Sequence, residues 1–325
     1  MHPVRRLLLI TAASVAALGI ASSVCAQTFP TKTIKIVVPY PPGGTNDVVA
    51  RLLSTRLTEQ LGQTVFVENQ AGAAGNTGTA SVARATADGY TLILVTTGLA
   101  IAPSLYPKLT YDIRKNLEPV TQLTSGPLLV MVNPRLPVNN VRELLELARA
   151  KPGQLNYGSA GNGASTHLAV EAMNAAAGVK MTHIPYKGST PAMSDVMAGN
   201  ADLVLDLMFS GMPNVMSGKL KAIGVTGLER SAALPDVPTV SEAGIPGFDV
   251  IVWNGLMVPA GTPSAVIAKL NTEIAKAMNR PDMRDRMLSQ GFNVTTGTPA
   301  EFGMLISTEI DRWKKVVQDS GAKID

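Results

Sequence analysis

From residue 33 onward, apolar runs alternate with glycine-containing loops and with segments of helical periodicity. Runs of β-branched and other apolar residues at 33–38, 64–67 and 90–95 predict three strands. After the first run, apolar residues recur at helical spacing: Val48, Val49, Leu52, Leu53 and Leu57. Strands that alternate with helices favour a parallel sheet covered by helices, so the pattern predicts an α/β fold.

The same order of strand, loop and helix returns in the rest of the chain. Further strands are predicted at 128–132, 156–157, 181–185, 202–207, 221–226 and 251–258. Further helices are predicted at 141–150, 166–177, 191–198, 262–278 and 299–317. The runs at 128–132 and 251–258 are placed to carry the chain to a second unit and back. We therefore predict lobe 1 from residues 27–127 and 253–325, and lobe 2 from residues 128–252.

The first 26 residues have the three parts of a secretory signal peptide. Arg5 and Arg6 supply a positive start, residues 7–20 are apolar, and the segment ends in small residues. We predict cleavage after Ala26 and a periplasmic location; a retained anchor helix and a lipid-modified Cys25 are the alternatives. Because Cys25 is the only cysteine, the cleaved chain has no thiol for a disulfide, a metal site or a nucleophile.

The charge and the histidine spacing exclude some classes of partner. The formal net charge is +4, and loss of Arg5 and Arg6 with the signal peptide leaves +2. Since lysine and arginine form no cluster, we expect no nucleic-acid partner. The two histidines of the cleaved chain, His167 and His183, lack metal-ligand spacing, and no phosphate or dinucleotide loop is intact. We therefore expect neither a metal nor a cofactor.

Three loops share one design, because each follows an apolar strand and opens a helix. They are residues 43–47, 159–167 and 188–191. Glycine lets the backbone approach a ligand closely and adopt positive φ, and a helix N-terminus offers unpaired N–H groups with a partial positive charge. Such loops bind an anion without lysine or arginine. Serine, threonine and glycine are also ordinary N-cap residues, so helix capping is the alternative interpretation.

Residues that suggest catalysis form no complete pattern. The chain around Ser159 does not form a Gly-x-Ser-x-Gly elbow. An enzyme that uses Ser159 or Asp206 with His167 is the less favoured hypothesis, and we expect the protein not to be an enzyme. His167 lies four residues before Glu171, which is typical of a pair on a helix surface. His183 lies in a predicted strand and is interpreted as structural.

Two acids and two aromatic residues at predicted element ends each have two interpretations. Asp47, in a first helical turn, either stabilises that helix or contacts a ligand. Asp206 lies near a strand end between apolar neighbours; if buried it needs partners, so it either holds a loop or receives a donor from a ligand. Tyr40 and Tyr186 are interpreted as packing residues more readily than as pocket residues.

Seven stretches of the sequence carry a resemblance to a known family. They are residues 39–47, 67–76, 87–92, 159–168, 183–188, 234–244 and 258–263. The first reads Pro-Tyr-Pro-Pro-Gly-Gly-Thr-Asn-Asp and the fifth reads His-Ile-Pro-Tyr-Lys-Gly. In this order and spacing, the chain resembles the Bug family of periplasmic receptors, the substrate-binding proteins of tripartite tricarboxylate transporters. The resemblance covers essentially all of the cleaved chain.

The resemblance implies a two-lobed Venus-flytrap fold, that of type II periplasmic binding proteins, in which each lobe is a mixed sheet flanked by helices. It also implies that main-chain N–H groups and hydroxyls hold a small carboxylate between the lobes. The site residues that it assigns in this sequence are Tyr40, Gly43, Gly44, Thr45, Asp47, Thr97, Ser159, Gly161, Ala164, Ser165, Thr166, His167, Tyr186, Gly188 and Asp206.

The implied partners are that carboxylate and the membrane subunits of a transporter, and we expect a monomer. A periplasmic sensor that feeds a two-component system is the alternative function. The carboxylate is a di- or tricarboxylate, an acidic amino acid or an aromatic acid, and the sequence does not choose among them. Two departures from the family pattern, Leu205 for phenylalanine and Asn254 for an aromatic residue, are expected to alter the width and polarity of the pocket.

Overall fold

The computed structural model describes residues 29–322, so the predicted signal peptide with its cleavage point lies outside the described residues. The strands in this range are β1 (Ile34–Val38), β2 (Val65–Asn69), β3 (Thr91–Thr96), β4 (Leu117–Val132), β5 (Asn156–Ser159), β6 (Thr182–Pro185), β7 (Leu203–Leu207), β8 (Lys221–Val225), β9 (Ile251–Pro259) and β10 (Asn293–Val294). The helices are α1 (Thr45–Leu61), α2 (Asn76–Val82), α3 (Thr97–Leu105), α4 (Ile113–Asn116), α5 (Val141–Ala150), α6 (Ser165–Ala177), α7 (Ser189–Ala198), α8 (Met208–Met216), α9 (Val240–Ala243), α10 (Ser264–Met278), α11 (Pro281–Leu288) and α12 (Pro299–Ser320), with a 3₁₀ turn at Ala73–Gly75.

The strands form one mixed sheet in the order β2-β1-β3-β9-β4-β7-β5-β6, with β8 and β10 also paired to β4. The long strand β4 changes partners along its length: residues 117–127 pair with β9, and residues 128–132 pair with β7 and β8. We call β1, β2, β3, β9, β10 and residues 117–127 of β4 the first half-sheet. The second half-sheet is β5, β6, β7, β8 and residues 128–132 of β4. The partner change falls at the predicted lobe boundary, and the division into two lobes stays a prediction.

Strand direction brings the two half-sheets' loops toward each other. Strands β1, β2 and β3 are parallel, and β5, β6 and β7 are parallel. Both β3 and β4 are antiparallel to β9, whereas β7 is antiparallel to β4, so the two parallel sets run in opposite directions. The end of β3 lies level with Thr124 of β4 through Asn254, and the end of β7 lies level with Leu128. Four residues of strand span about 13 Å, so the carboxyl ends of both sets face the same short segment of β4.

Local sequence explains which elements the hydrophobic pattern missed. Residues 117–127 of β4 contain Pro119 and Pro127, which disfavour a central strand, and the register shifts after Pro119 and again after Gln122. Helix α3 is buried on most sides and contains Pro103, so it shows no amphipathic stripe. The mixed sheet agrees with the α/β fold class that the resemblance implied, whereas the alternation of strands and helices alone favoured a parallel sheet.

The main core packs helices on one face of both half-sheets. Tyr157, Leu205 and Ile93 are fully buried there, together with Trp313 of α12. A smaller cluster on the other face of the second half-sheet packs β4 and β7 against α7 and α8, and includes Met193. Among the helices of residues 29–322, none is long and apolar enough to span a membrane.

Candidate functional site

The loop after β1 is organised by Asp47, which is 4% exposed. Its Oδ2 accepts hydrogen bonds from Gly43 N–H and Arg51 Nε, both at 2.9 Å, and its Oδ1 accepts one from Asn69 Nδ2 at 2.9 Å. Burial pushes the pKa of Asp47 upward, but these hydrogen bonds and the charge of Arg51 outweigh burial and hold the pKa below its usual value. The carboxylate is therefore used within the loop, which it shapes around Gly43.

Tyr40 and Thr97, both predicted site residues, are tied to neighbouring strands. The Tyr40 hydroxyl lies 2.7 Å from Thr96 Oγ1, and Thr96 caps α3 by accepting from Gly98 N–H. Thr97 is 1% exposed, and its Oγ1 accepts from Trp253 N–H at 2.9 Å. The Thr97 hydroxyl thus joins α3 to β9 in the core, and Thr96, which was not predicted, is the threonine that contacts Tyr40.

The loop after β5 closes on itself through predicted residues. Ser159 is fully buried; its Oγ accepts from Gly161 N–H at 3.1 Å and lies 2.6 Å from His183 Nε2. Thr166 Oγ1 accepts from Ala160 N–H at 3.0 Å. Gly161 has φ +131°, a value that glycine adopts without strain, which confirms the predicted need for glycine in this loop.

Two histidines stack beneath this loop. The rings of His167 and His183 are 3.8 Å apart and nearly parallel, and Tyr157 stacks on His183 at 4.9 Å. Gly163 N–H donates to His167 Nδ1, so the neutral ring carries its proton on Nε2. Burial, reinforced by repulsion from His183, lowers the pKa of His167 to about 3, and burial lowers the pKa of His183 to about 4. Both rings are therefore neutral near pH 7.

The expected surface pair of His167 with Glu171 does not form. His167 is 5% exposed, and Glu171 accepts instead from the hydroxyl of Tyr157. Within residues 29–322, no carboxylate hydrogen bonds to either imidazole. Ser159 is paired with His183 rather than with His167. Neither histidine has, among the described residues, the acid partner that orients a catalytic histidine.

The third loop brings Gly188 to the start of α7, as predicted. Gly188 is the N-cap with φ +115°, and Ser189 is the first helical residue. Tyr186 donates its hydroxyl proton to Asp195 Oδ2 at 2.7 Å, so its phenol is held along α7. Tyr186 lies beside the second loop, because a side chain at Gly161 would meet its carbonyl oxygen.

Asp206 lies near the end of β7 and is 2% exposed. Its Oδ1 accepts from Leu207 N–H at 2.7 Å, whereas Oδ2 is buried with no donor within residues 29–322. Burial raises the pKa of Asp206 to about 6, against the opposing effects of Ser189, Leu207 N–H and Ser210. Of the two predicted acids, Asp206 is thus the one with an oxygen left for another group.

The starts of the three loop helices contradict the capping alternative. The N-cap residues are Gly44 for α1, Ala164 for α6 and Gly188 for α7, and none of these helices has a side-chain cap. Thr45 and Ser165 are first helical residues and do not cap. By contrast, α5, α9 and α12 are capped by the side chains of Asn140, Thr239 and Thr298. The loop helices therefore keep the main-chain N–H groups that an anion needs.

The two departures from the family pattern lie in unequal surroundings. Leu205 is fully buried in the main core, on the face of β7 opposite Asp206, and so it does not line the loops directly. Asn254 is 3% exposed and accepts from Thr124 Oγ1 at 3.1 Å, on the segment of β4 that both sets of strand ends face. Of the two departures, Asn254 is the one that lies on this segment, and its effect on the polarity of the pocket stays a prediction.

Sequence reasoning missed several residues that organise the site. They are Arg51 and Asn69 around Asp47, Thr96 beside Tyr40, and Tyr157 beneath the second loop, where it stacks on His183. Asn69 lies in the resembling stretch 67–76, which was the available signal. The pairing of β5 with β6 places Tyr157 opposite His183, and that register is not encoded in any local motif.

The family to which these features belong follows from comparison. The model of the tripartite tricarboxylate transporter family receptor matches residues 49–322. Protein BugT of Bordetella pertussis is 36% identical over 321 residues, which cover 98% of this chain and 98% of BugT.

Two solved structures share the fold over about nine-tenths of the chain. R. palustris Rpa4515 with adipate has a TM-score of 0.85 and 34% identity, covering 91% of this chain and 100% of that one. MatC (Rpa3494) from Rhodopseudomonas palustris with bound malate has a TM-score of 0.81 and 35% identity, covering 89% of this chain and 100% of that one. These comparisons confirm the resemblance to Bug receptors and the α/β fold class. The chain belongs to the tripartite tricarboxylate transporter receptor family.

Proposed function

We propose that this protein is a periplasmic receptor that captures a small carboxylate between its two half-sheets and delivers it to the membrane subunits of a tripartite tricarboxylate transporter. The observation that carries the proposal is the set of helix starts without side-chain caps, α1 from the first half-sheet and α6 and α7 from the second, at strand ends that face one segment of β4. Helix N-termini favour negative charge and need no cationic side chain to do so.

The chemistry around these helix starts suits a carboxylate. The described hydrogen bonds leave the amides of Thr45 and Asn46 in α1, and of Ser165 and Thr166 in α6, without a protein acceptor. A carboxylate has two oxygens and accepts from several donors, so one such group matches amides from both half-sheets. Rpa4515 with adipate and MatC with bound malate support a carboxylate as the ligand class.

Capture requires the two half-sheets to move as lobes about the crossings in β4 and β9. A carboxylate that contacts both stabilises the closed form by its differential affinity for that form. Membrane subunits then recognise the closed shape. We expect the receptor to act as a monomer in the periplasm, because one chain supplies both sides of the site.

A thermal-shift screen tests the function directly. A ligand that binds only the folded protein raises the melting temperature, and the shift grows with concentration above Kd. The panel contains adipate, malate, citrate, glutamate and benzoate, with adipamide and hexane-1,6-diol as uncharged controls of matched length. We expect a shift with at least one carboxylate and none with the uncharged controls. Equal shifts with adipate and adipamide, or no shift with any carboxylate, contradict the proposal.

A further inference from the structure

Asp206 has one carboxylate oxygen that the described contacts leave unsatisfied. Oδ1 accepts from Leu207 N–H, whereas Oδ2 is buried and without a donor within residues 29–322. The hydroxyls of Ser189 and Ser210 are near enough to lower the pKa of Asp206, but neither donates to Oδ2, and the Ser210 hydroxyl donates to the Leu207 carbonyl oxygen at 2.9 Å. An unpaired buried carboxylate oxygen is costly in free energy, so Oδ2 requires a proton or a further donor.

The surroundings of Asp206 are those expected for an anion site. Ser189 begins α7 and Met208 begins α8, and neither helix has a side-chain cap. Strand β5 runs parallel to β7, with Gly158 level with Val204, so the loop after Ser159 starts beside Asp206. The free oxygen therefore lies beside the part of the second half-sheet that the proposed carboxylate would meet.

Among the described elements that pack against β7, none brings a cation to Asp206. Residues 128–132 of β4 and helix α8, which both pack against β7, carry no titratable side chain. The titratable residues of the other neighbouring elements are Asp195 on α7, His167 and Glu171 on α6, Tyr157 on β5 and His183 on β6. Asp195 and Glu171 accept from tyrosine hydroxyls, and the rings stack on one another. An incoming carboxylate would thus meet a second carboxylate with no counter-charge.

Like-charged carboxylates that share a dry site hold a proton between them. We propose that this receptor takes up one proton with its carboxylate, and that the proton bridges Oδ2 of Asp206 and an oxygen of the bound carboxylate. The proton comes from solvent, and no other bond forms or breaks. This inference rests on the proposed function and specifies how the same site is regulated.

The direction of the pH dependence follows from the state of the empty site. The pKa of Asp206 in the empty protein is raised to about 6, so above that pH the carboxylate is ionised and binding must bring in the proton. Affinity then falls as pH rises, by up to about tenfold per pH unit above about pH 6. Below that range the acid already holds its proton and the affinity is level, as long as the ligand itself stays ionised.

Isothermal titration calorimetry with adipate, or with malate where malate binds more tightly, tests this coupling. Titrations near pH 7.5 in buffers of different ionisation enthalpy count the protons taken up, and a pH series gives the change in Kd. We expect an uptake approaching one proton for the unmodified protein. Asp206→Asn mimics the protonated acid, so it should take up no proton and lose the pH dependence, and near pH 7.5 it should bind up to about 30-fold more tightly than the unmodified protein. Asp236→Asn, at an exposed carboxylate in the loop between β8 and α9, is the control and should behave like the unmodified protein.

Each other outcome contradicts the inference. Zero proton uptake by the unmodified protein would show that binding is not coupled to a proton. Uptake that persists in Asp206→Asn would show that another group takes up the proton. A folded Asp206→Asn variant that no longer binds means that Oδ2 accepts a donor from the ligand. If Asp206→Asn does not fold, the NMR titration of Asp206 in the unmodified protein decides: adipate must raise its pKa. Failure of every carboxylate to bind at any pH would instead refute the proposed function.

Discussion

The two half-sheets treat their buried acids in opposite ways. At the first loop, Asp47 is surrounded by donors, and Arg51 supplies a compensating charge. In the second half-sheet, Asp206 near the end of β7 has one main-chain donor and no cation among the described residues, and the stacked imidazoles of His167 and His183 are neutral. Charge thus stabilises the first loop as an ion network, while the second consists of neutral rings and an acid with a raised pKa. The first loop is held in shape by ion pairs and hydrogen bonds, whereas Asp206 in the second half-sheet has a raised pKa and can change its protonation near neutral pH.

The largest expected effect is the change in the free energy of unfolding on acidification, which involves His167, His183 and Asp206 but not Asp47. His167 and His183 have lower pKa values in the folded protein than in the unfolded chain, so the unfolded chain binds more protons as the pH falls. Between about pH 6 and about pH 4.5, each histidine therefore lowers the free energy of unfolding by up to about 1.4 kcal/mol per pH unit. Asp206 has a raised folded pKa and gains stability over the same window. The unmodified protein should therefore lose about 2 kcal/mol, and Asp206→Asn, which removes the gain, about 4 kcal/mol.

Urea unfolding at several pH values across that window measures both losses. His183→Asn should flatten the curve, because it removes one of the two groups whose protonation opposes folding. The pKa of Asp47 is already held below its usual value, so Asp47→Asn should leave the slope unchanged. A slope that is the same in the unmodified protein, Asp206→Asn and His183→Asn would show that these buried groups do not control acid stability.

At neutral pH the order reverses, and the first loop becomes the more sensitive one. Asp47→Ala removes the carboxylate that accepts from Gly43 N–H, Asn69 Nδ2 and Arg51 Nε. Asn69 Nδ2 keeps the Tyr40 carbonyl oxygen as an acceptor and Arg51 keeps Asn69 Oδ1, so Gly43 N–H loses its acceptor and Arg51 loses its counter-charge. We expect a loss of about 2–3 kcal/mol in the free energy of unfolding, discounted because Arg51 is 52% exposed and stays hydrated. Chemical denaturation near pH 7.5 checks this, and Asp206→Asn under the same conditions should lose less. A larger loss for Asp206→Asn would overturn the contrast between the two loops.

Leu205→Phe tests whether the residue beside Asp206 shapes the site or the core. Leu205 is fully buried in the main core on the opposite face of β7, so the larger ring should overpack that core. We expect about 2 kcal/mol of destabilisation and an unchanged order of preference in the carboxylate screen. Unfolding and thermal-shift measurements on one preparation give both values. A changed ligand preference without loss of stability would place Leu205 in the pocket.

How far the sequence predicts these features depends on the range of the contacts. Strands such as β1 and β7 are short apolar runs, and the glycines at 43, 161 and 188 adopt the positive φ values that their loops were predicted to need. Burial of Asp206 and its two interpretations also follow from its apolar neighbours. These are local properties, and the hydrophobic pattern contains them.

Contacts that depend on strand register escaped prediction. Ser159 reaches His183 only because β5 pairs with β6, and Asn69 reaches Asp47 only because β2 pairs with β1. His167 does not form the pair with Glu171 that helix spacing predicted, because it stacks on His183 in the core while Glu171 accepts from Tyr157. Spacing along one helix is a weak guide when both residues face a buried neighbour, since burial decides which partner is taken.

The smallest expected effect concerns the hydroxyls at the helix starts. Thr45 and Ser165 are first helical residues of α1 and α6 and do not cap their helices, so in the proposed function each donates to the carboxylate from its own half-sheet. Removing one neutral donor should weaken binding by about 1 kcal/mol, roughly a fivefold rise in Kd, without altering the pH dependence. The matched control is Thr55→Ala on the same helix, because the Thr55 hydroxyl donates to the main-chain carbonyl oxygen of Arg51. Calorimetry with adipate on Thr45→Ala and Ser165→Ala should show similar losses, because the carboxylate bridges both half-sheets; a loss confined to one variant would place the ligand on one half-sheet alone.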